Sequence, residues 1–226
     1  MGEYNYNVFT LRLGFHNLIN YCYIIVDEAT REAALIDPAW NFDAIYNVLQ
    51  QAEAKLTTIL LTHSHFDHVN MVKAFVRKFN SRVFMSTKEI EFYNYSCPNL
   101  NAFNDMEEIS LGETSIRFLL TPGHTAGSSC YLVPGALFTG DTVFIEGCGL
   151  CSSKGGDPKQ MFESIQKLKF TLQLDTKIYP GHSYGKRPGH TLKYLMEENI
   201  YFLIDQERLF IDFRMRKNQQ NPFAFK

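Results

Sequence analysis

Residues 60–70 read LLTHSHFDHVN and crowd three histidines and one aspartate into six positions: His63, His65, Asp67 and His68 form an H-x-H-x-D-H pattern. The apolar run at 58–61 that leads into it is short enough for one buried strand. After it, Met71, Phe75, Val76 and Phe79 recur at helical spacing, and 82–85 predicts the next strand. The same grammar extends upstream. Residues 7–13 alternate apolar and polar, and the β-rich runs 21–26 and 33–36 flank the charged turn DEATRE as a hairpin. Asp37-Pro38 ends that hairpin. Asn41 then suits the cap of a helix reaching about residue 54, with Ile45, Val48 and Leu49 on one face. Downstream, strands are expected at 115–120, 129–133, 136–138 and 177–179. Helices are expected at 159–170 and over much of 192–216. Strands covered by helices indicate an α/β domain. No linker-like segment divides the chain, so one domain over 1–226 is expected.

Composition sets bounds on function. Apolar residues make up 45% and charged residues 20%, with 19 Phe and 12 Tyr for a thick core. A formal net charge of -2 argues against a general nucleic-acid partner. No apolar run approaches the ~20 residues that cross a bilayer, so no membrane association is expected. The start MGEYNYNVFT lacks the charged and apolar regions of a secretory signal, and Tyr6 breaks the myristoylation pattern. Five cysteines form no paired framework and fit a reducing cytoplasm.

Four loops, each after an expected strand, carry metal-ligand types: the His63–His68 motif, Thr121-Pro122-Gly123-His124, Thr139-Gly140-Asp141-Thr142 and Tyr179-Pro180-Gly181-His182. Strand ends hold such groups rigidly while leaving them open to solvent. The set uses five of the seven histidines and two aspartates. One tetrahedral catalytic metal needs three protein ligands and a water, so this set is enough for two metals sharing a carboxylate. Imidazole and carboxylate without thiolate suit zinc, and also iron or manganese. His16 and His190 lack such surroundings and are expected at the surface or behind the ligands. Cys148 and Cys151 are expected to pack beside a substrate channel rather than act as a redox pair. Phe66 is expected to pack, Asp37 to end a strand or to hydrogen-bond a ligand loop, and Trp40 to floor the pocket or cover the core.

The chain resembles the metallo-β-lactamase superfamily, and within it the glyoxalase II-like thioester hydrolases. The resemblance rests on NYCYIIVDEATREAALIDPAW, LLTHSHFDHVN, LTPGHTAGSSCYLV, LFTGDTVFIEGCG, YPGHSY and the late NPF, in that order. It implies a four-layer αββα sandwich with metals at one edge of two sheets. Carried over by position, one metal takes His63, His65 and His124, the second takes Asp67, His68 and His182, and Asp141 bridges them. Such a pair of ions lowers the pKa of water to about 7 and holds a bridging hydroxide that attacks a carbonyl. Asp67 is expected to ligate and to orient that nucleophile.

Departures from the family point to the substrate. Leu150 follows Gly147-Cys148-Gly149 where glutathione-binding relatives carry a cation. After Asn221-Pro222-Phe223 the expected arginine is also missing. Tyr184 matches a family substrate contact. The run EGCGLCSSKGGDPKQMFESIQKLK resembles zinc-dependent hydrolases of bacterial polyketide pathways of the bacillaene type. That resemblance implies an acyl thioester on phosphopantetheine, with an acyl carrier protein as the possible partner. Lys186, Arg187 and Lys193 form an acid-free stretch that would steer such an acidic partner, or simply face solvent. The alternatives are a glutathione thioester hydrolase, a persulfide dioxygenase with one iron, a lactonase, and a non-catalytic carrier-binding module.

Overall fold

The structure is a computed structural model and describes residues 4–182 and 184–217. The first half of the chain builds one sheet from β1 (Tyr6–Phe15), β2 (Leu18–Asp27), β3 (Glu32–Ile36), β4 (Lys55–Leu60), β5 (Arg82–Ser86) and β6 (Leu100–Phe103), in that spatial order. Helix α1 (Phe42–Gln51) connects β3 to β4. The short α2 (Phe66–Val69) and α3 (Val72–Phe79) connect β4 to β5, and α4 (Thr87–Tyr93) follows β5. The second half contributes β7 (Glu108–Leu111), β8 (Thr114–Leu120), β9 (Ser129–Val133) and β10 (Ala136–Gly140). It then adds a small ribbon of β11 (Val143–Phe144) and β12 (Gly147–Cys148), α5 (Pro158–Thr171), β13 (Lys177–Pro180) and β14 (His190–Thr191). Helices α6 (Leu192–Glu198), α7 (Ile200–Leu203) and α8 (Glu207–Arg214) complete it. The second sheet runs β14-β13-β10-β9-β8-β7.

Period-two alternation explains the layering. In β2, Cys22, Ile24 and Val26 face a cluster with Ile45, Leu49, Phe75 and Val76 of the covering helices. Tyr21, Tyr23 and Ile25, on the opposite face, enter a cluster with Phe118, Tyr131 and Phe138 of the other sheet. Those strands turn Leu119, Cys130 and Leu137 outward onto Ile165, Leu168, Leu195 and Phe210. Strands buried on both faces read as nearly continuous apolar runs, and helices must cover the outer faces. The result is a four-layer αββα sandwich.

Local reading and structure differ at a few elements. Helix α1 stops at Gln51 because Glu53 takes a positive φ of 49° and turns the chain into β4. The single helix expected from 71 to 79 is preceded by one separate turn, α2, that carries Asp67 and His68. Helix α4 and the short strands β6 and β7 are not evident from periodicity. Each has at most one fully buried side chain, so none needs an apolar repeat. Among the described residues, no helix is long and apolar enough to cross a membrane. Residues 221–226, with the NPF segment and the missing cation after it, lie outside the described residues.

Candidate metal centre

Every ligand-bearing loop emerges at one edge of the sandwich. β4 runs into His63 and His65, α2 supplies Asp67 and His68, and β8, β10 and β13 are followed by His124, Asp141 and His182. Two of the joining backbones need glycine. Gly140 has φ +48°, and a Cβ there would meet Thr62 Oγ1 at 2.3 Å. At Gly181 a Cβ would lie 2.6 Å from Asp141 Oδ1 and 2.8 Å from His68 Cε1.

The side chains gather in two sets. His63 Nε2 and His124 Nε2 each lie 3.0 Å from His65 Nδ1. His182 Nε2 lies 3.3 Å from His68 Nε2 and 3.3 Å from Asp67 Oδ2. Within each set the ligand atoms are all within 4.8 Å of one another. Asp141 spans the two: Oδ1 is 3.5 Å from His68 Nε2, and Oδ2 is 3.6 Å from His124 Nε2 and 3.3 Å from His182 Nε2.

What lies behind the rings sets their tautomers, assigned here from the hydrogen-bond network. His124 Nδ1 donates to the Leu150 carbonyl at 2.7 Å and His182 Nδ1 to the Ile19 carbonyl at 2.8 Å. His68 Nδ1 donates to Asp37 Oδ2 at 2.9 Å. Thr62 Oγ1 gives its proton to Asp37 Oδ2, so it accepts from His63 Nδ1 at 3.0 Å. In all four rings Nδ1 carries a proton and Nε2 faces the centre, where it offers a lone pair whenever the ring is neutral. His68 Nε2 and His182 Nε2, 3.3 Å apart, repel as two lone pairs unless a proton or a metal cation lies between them. Asp141 Oδ1 is buried with no hydrogen-bond partner, and such a group demands positive charge. The donor set therefore fits divalent cations of the zinc class.

Electrostatics agree. Burial holds His63 and His65 below the ordinary imidazole value and brings His124 down to about 4, which keeps them neutral as ligands must be. Burial opposes charge on His182, yet Asp141 and Asp67 outweigh it and push that ring up to about 11. Burial would raise Asp67, but His182, His68 and Asn20 hold it below the usual carboxylate range. The two carboxylates thus call for positive charge, which protons on His68 and His182, or cations, can supply.

Residues 17–182 match the family described as the metallo-beta-lactamase superfamily. The chain belongs to that superfamily. The probable polyketide biosynthesis zinc-dependent hydrolase PksB of Bacillus subtilis is 48% identical, over 98% of each chain. The corresponding BaeB of Bacillus velezensis is 44% identical over 99% of this chain and 100% of that one. The probable hydroxyacylglutathione hydrolase glo2 of Schizosaccharomyces pombe is 34% identical over 74% of this chain and 65% of its own. Among solved structures, ETHE1 from Myxococcus xanthus superposes with a TM-score of 0.84 at 29% identity, covering 95% of this chain and 93% of that one. This metallo-beta-lactamase superfamily member is a metal-dependent hydrolase.

Other sequence expectations resolve individually. Asp37 both ends β3 and holds His68 and Thr62, with its backbone at φ +49°. Phe66 does not pack in the core: it is 71% exposed and makes a T-shaped contact with Trp40, at 6.2 Å between centroids. Position explains this, because the single turn α2 must point Asp67 and His68 inward and so leaves Phe66 outside. Trp40 stacks on Phe15 and donates from Nε1 to Asn20 Oδ1 at 2.7 Å, and Asn20 Nδ2 donates to Asp67 Oδ2 at 3.0 Å. Leu150 acts on His124 through its carbonyl. Tyr184 packs 5.4 Å from His182 and 4.9 Å from Phe144. Cys148 and Cys151 are buried free thiols, raised chiefly by burial. His16 is exposed, and His190 is half-buried against Tyr194.

Glu89 escapes the sequence reading. Fully buried, it accepts from Ser64 N and Oγ through Oε1, and from Thr125 Oγ1 and Gly127 N through Oε2, all at 2.7–2.9 Å. It clips the loop of His63 and His65 to the loop of His124. The local signal is the capping-box pattern Ser86-x-x-Glu89 at the start of α4, of which the serine half forms: Ser86 Oγ accepts from Glu89 N at 3.1 Å.

Gly181→Ala tests the packing of the centre. The added methyl forces Asp141 or His68 aside, so zinc affinity should fall about 10–100-fold, as when groups supporting a ligand are lost. Competition with a chromophoric chelator measures it. Undiminished affinity would mean that neither side chain is held where the packing puts it.

Proposed function

We propose that the protein is a dinuclear zinc hydrolase that cleaves an acyl thioester on a phosphopantetheine arm, within polyketide biosynthesis. The observation that carries this reading is the pairing of two ligand sets through one buried carboxylate, Asp141. The printed names of the 48% and 44% identical relatives support zinc and polyketide biosynthesis. The hydroxyacylglutathione hydrolase relative supports a thioester, since its substrate by name is one.

When bound, the two zinc ions supply Lewis acidity and a water acidic enough to ionise near neutral pH. The chain does the rest. Asn20 fixes Asp67 through Oδ2, and no donor among the described residues reaches Asp67 Oδ1, which therefore accepts a hydrogen bond from the attacking water and orients it. Tyr184, pushed up to about 12 mainly by burial and then by Asp141 and Asp67, stays a phenol beside the site. It can hold the thioester arm by donation. Leu150, an alkyl side chain next to His124, offers no charge to a glutathione carboxylate.

Metal analysis joined to a thiol-release panel tests the reading. Two equivalents of zinc per chain are expected, with thiol release fastest from phosphopantetheine thioesters and slow from glutathione thioesters. One equivalent of iron with oxygen uptake on a persulfide, or no thiol from any thioester, overturns it.

A further inference from the structure

The basic stretch after His182 does not act as one patch. Lys186 places its ammonium 5.5 Å from the centre of the Tyr194 ring. Lys193 faces Glu197 at 3.9 Å. Arg187 instead lines a groove of about 660 Å³ with Thr10, Arg12, Tyr21, Gly185 and Pro188. Arg12 comes from the opposite end of the sequence. It is the direct cross-strand partner of Tyr21 in β1 and β2, so both point to the same face.

Three observations make this groove an anion site. Its lining holds, among the described residues, two guanidinium groups and no acid. Among the described residues, no carboxylate oxygen lies within 4.0 Å of either arginine. Glu146, which packs behind Gly185, is buried and accepts the Tyr194 hydroxyl at 3.0 Å. The groove also adjoins the metal edge. Tyr21 N donates to Gly181 O at 2.8 Å, the preceding Asn20 holds Asp67, and Asn20 bridges to His182.

Paired, unneutralised arginines favour a tetrahedral oxyanion, which each fork can contact in bidentate fashion. We propose that Arg12 and Arg187 form a phosphate subsite, holding the phosphate of the arm whose far end presents the thioester to the metal centre. This rests on the thioester reading above. Phosphate attached to pantetheine occurs in coenzyme A and on carrier proteins, and the groove recognises the chemistry they share.

The test uses the zinc-loaded full chain and the double variant Arg12→Gln, Arg187→Gln. Both side chains are exposed, and thermal unfolding checks that the variant folds. Calorimetry compares 4′-phosphopantetheine with pantetheine. At low salt the phosphate should tighten binding at least about tenfold in the parent protein and less than about twofold in the variant. The ratio of KM for acetyl-pantetheine to acetyl-phosphopantetheine should collapse in parallel. Equal affinities in the parent, or an undiminished phosphate advantage in the variant, overturn the subsite. If phosphate tightens binding but no thioester releases thiol, the subsite stands and the thioester reading fails. If both thioesters release thiol with equal KM, the thioester reading stands and the subsite fails. A greater loss with carrier-linked than with coenzyme A thioesters assigns the phosphate to a carrier, and the reverse to coenzyme A. Either result upholds the subsite.

Discussion

Asp67→Asn is expected to lower kcat by at least about 100-fold while KM shifts by less than about threefold. The carboxylate sits where its two oxygens have different work. Oδ2 faces His182 Nε2 at 3.3 Å and His68 Nε2 at 3.5 Å and accepts from Asn20, so its geometry is set before any substrate arrives. Oδ1 accepts from no donor among the described residues and, in the proposed mechanism, is the oxygen left to orient the reacting water. An amide keeps the shape but loses the charge, and on one side it presents N–H where an acceptor is required. A group acting only in the transition state lowers kcat and kcat/KM together. A rise in KM with kcat preserved would instead make Asp67 a substrate-binding group.

Glu89→Ala should produce the second large effect, and in two observables at once. Four donors, Ser64 N, Ser64 Oγ, Thr125 Oγ1 and Gly127 N, would lose a buried charged acceptor. Each buried donor left without a partner costs about 1–3 kcal/mol, so a clear loss of stability should be read from urea unfolding of the zinc-free protein. Zinc affinity should fall about 10–100-fold as well, because His63, His65 and His124 lose their common anchor. Glu89→Gln keeps the volume and one acceptor, so it should lose less of both. Lower stability with unchanged zinc affinity would reduce Glu89 to a packing role.

Much of the centre is legible locally because the ligands occur in compact motifs after strand signals. His63, His65, Asp67 and His68 need only six residues of chain, and Gly123, Gly140 and Gly181 mark the turns that bring up His124, Asp141 and His182. The same logic finds the long strands, whose two buried faces demand apolar runs. It fails for β6, β7 and α4, which bury little. It fails also for Glu89, whose capping pattern conceals a side chain turned toward two distant loops.

Residue type and order alone determined the α/β class, the ligand chemistry and the identity of the seven ligand candidates, since those depend on functional groups and local periodicity. Only the packed sandwich decided which groups come together: Asp141 between two sets, Asp37 behind His68, Leu150 lending a carbonyl, and Arg12 in one groove with Arg187. Those partners are separated by tens to more than a hundred positions. No local rule connects them, because their contacts exist only once the burial of two sheets against each other has fixed the loops at a common edge.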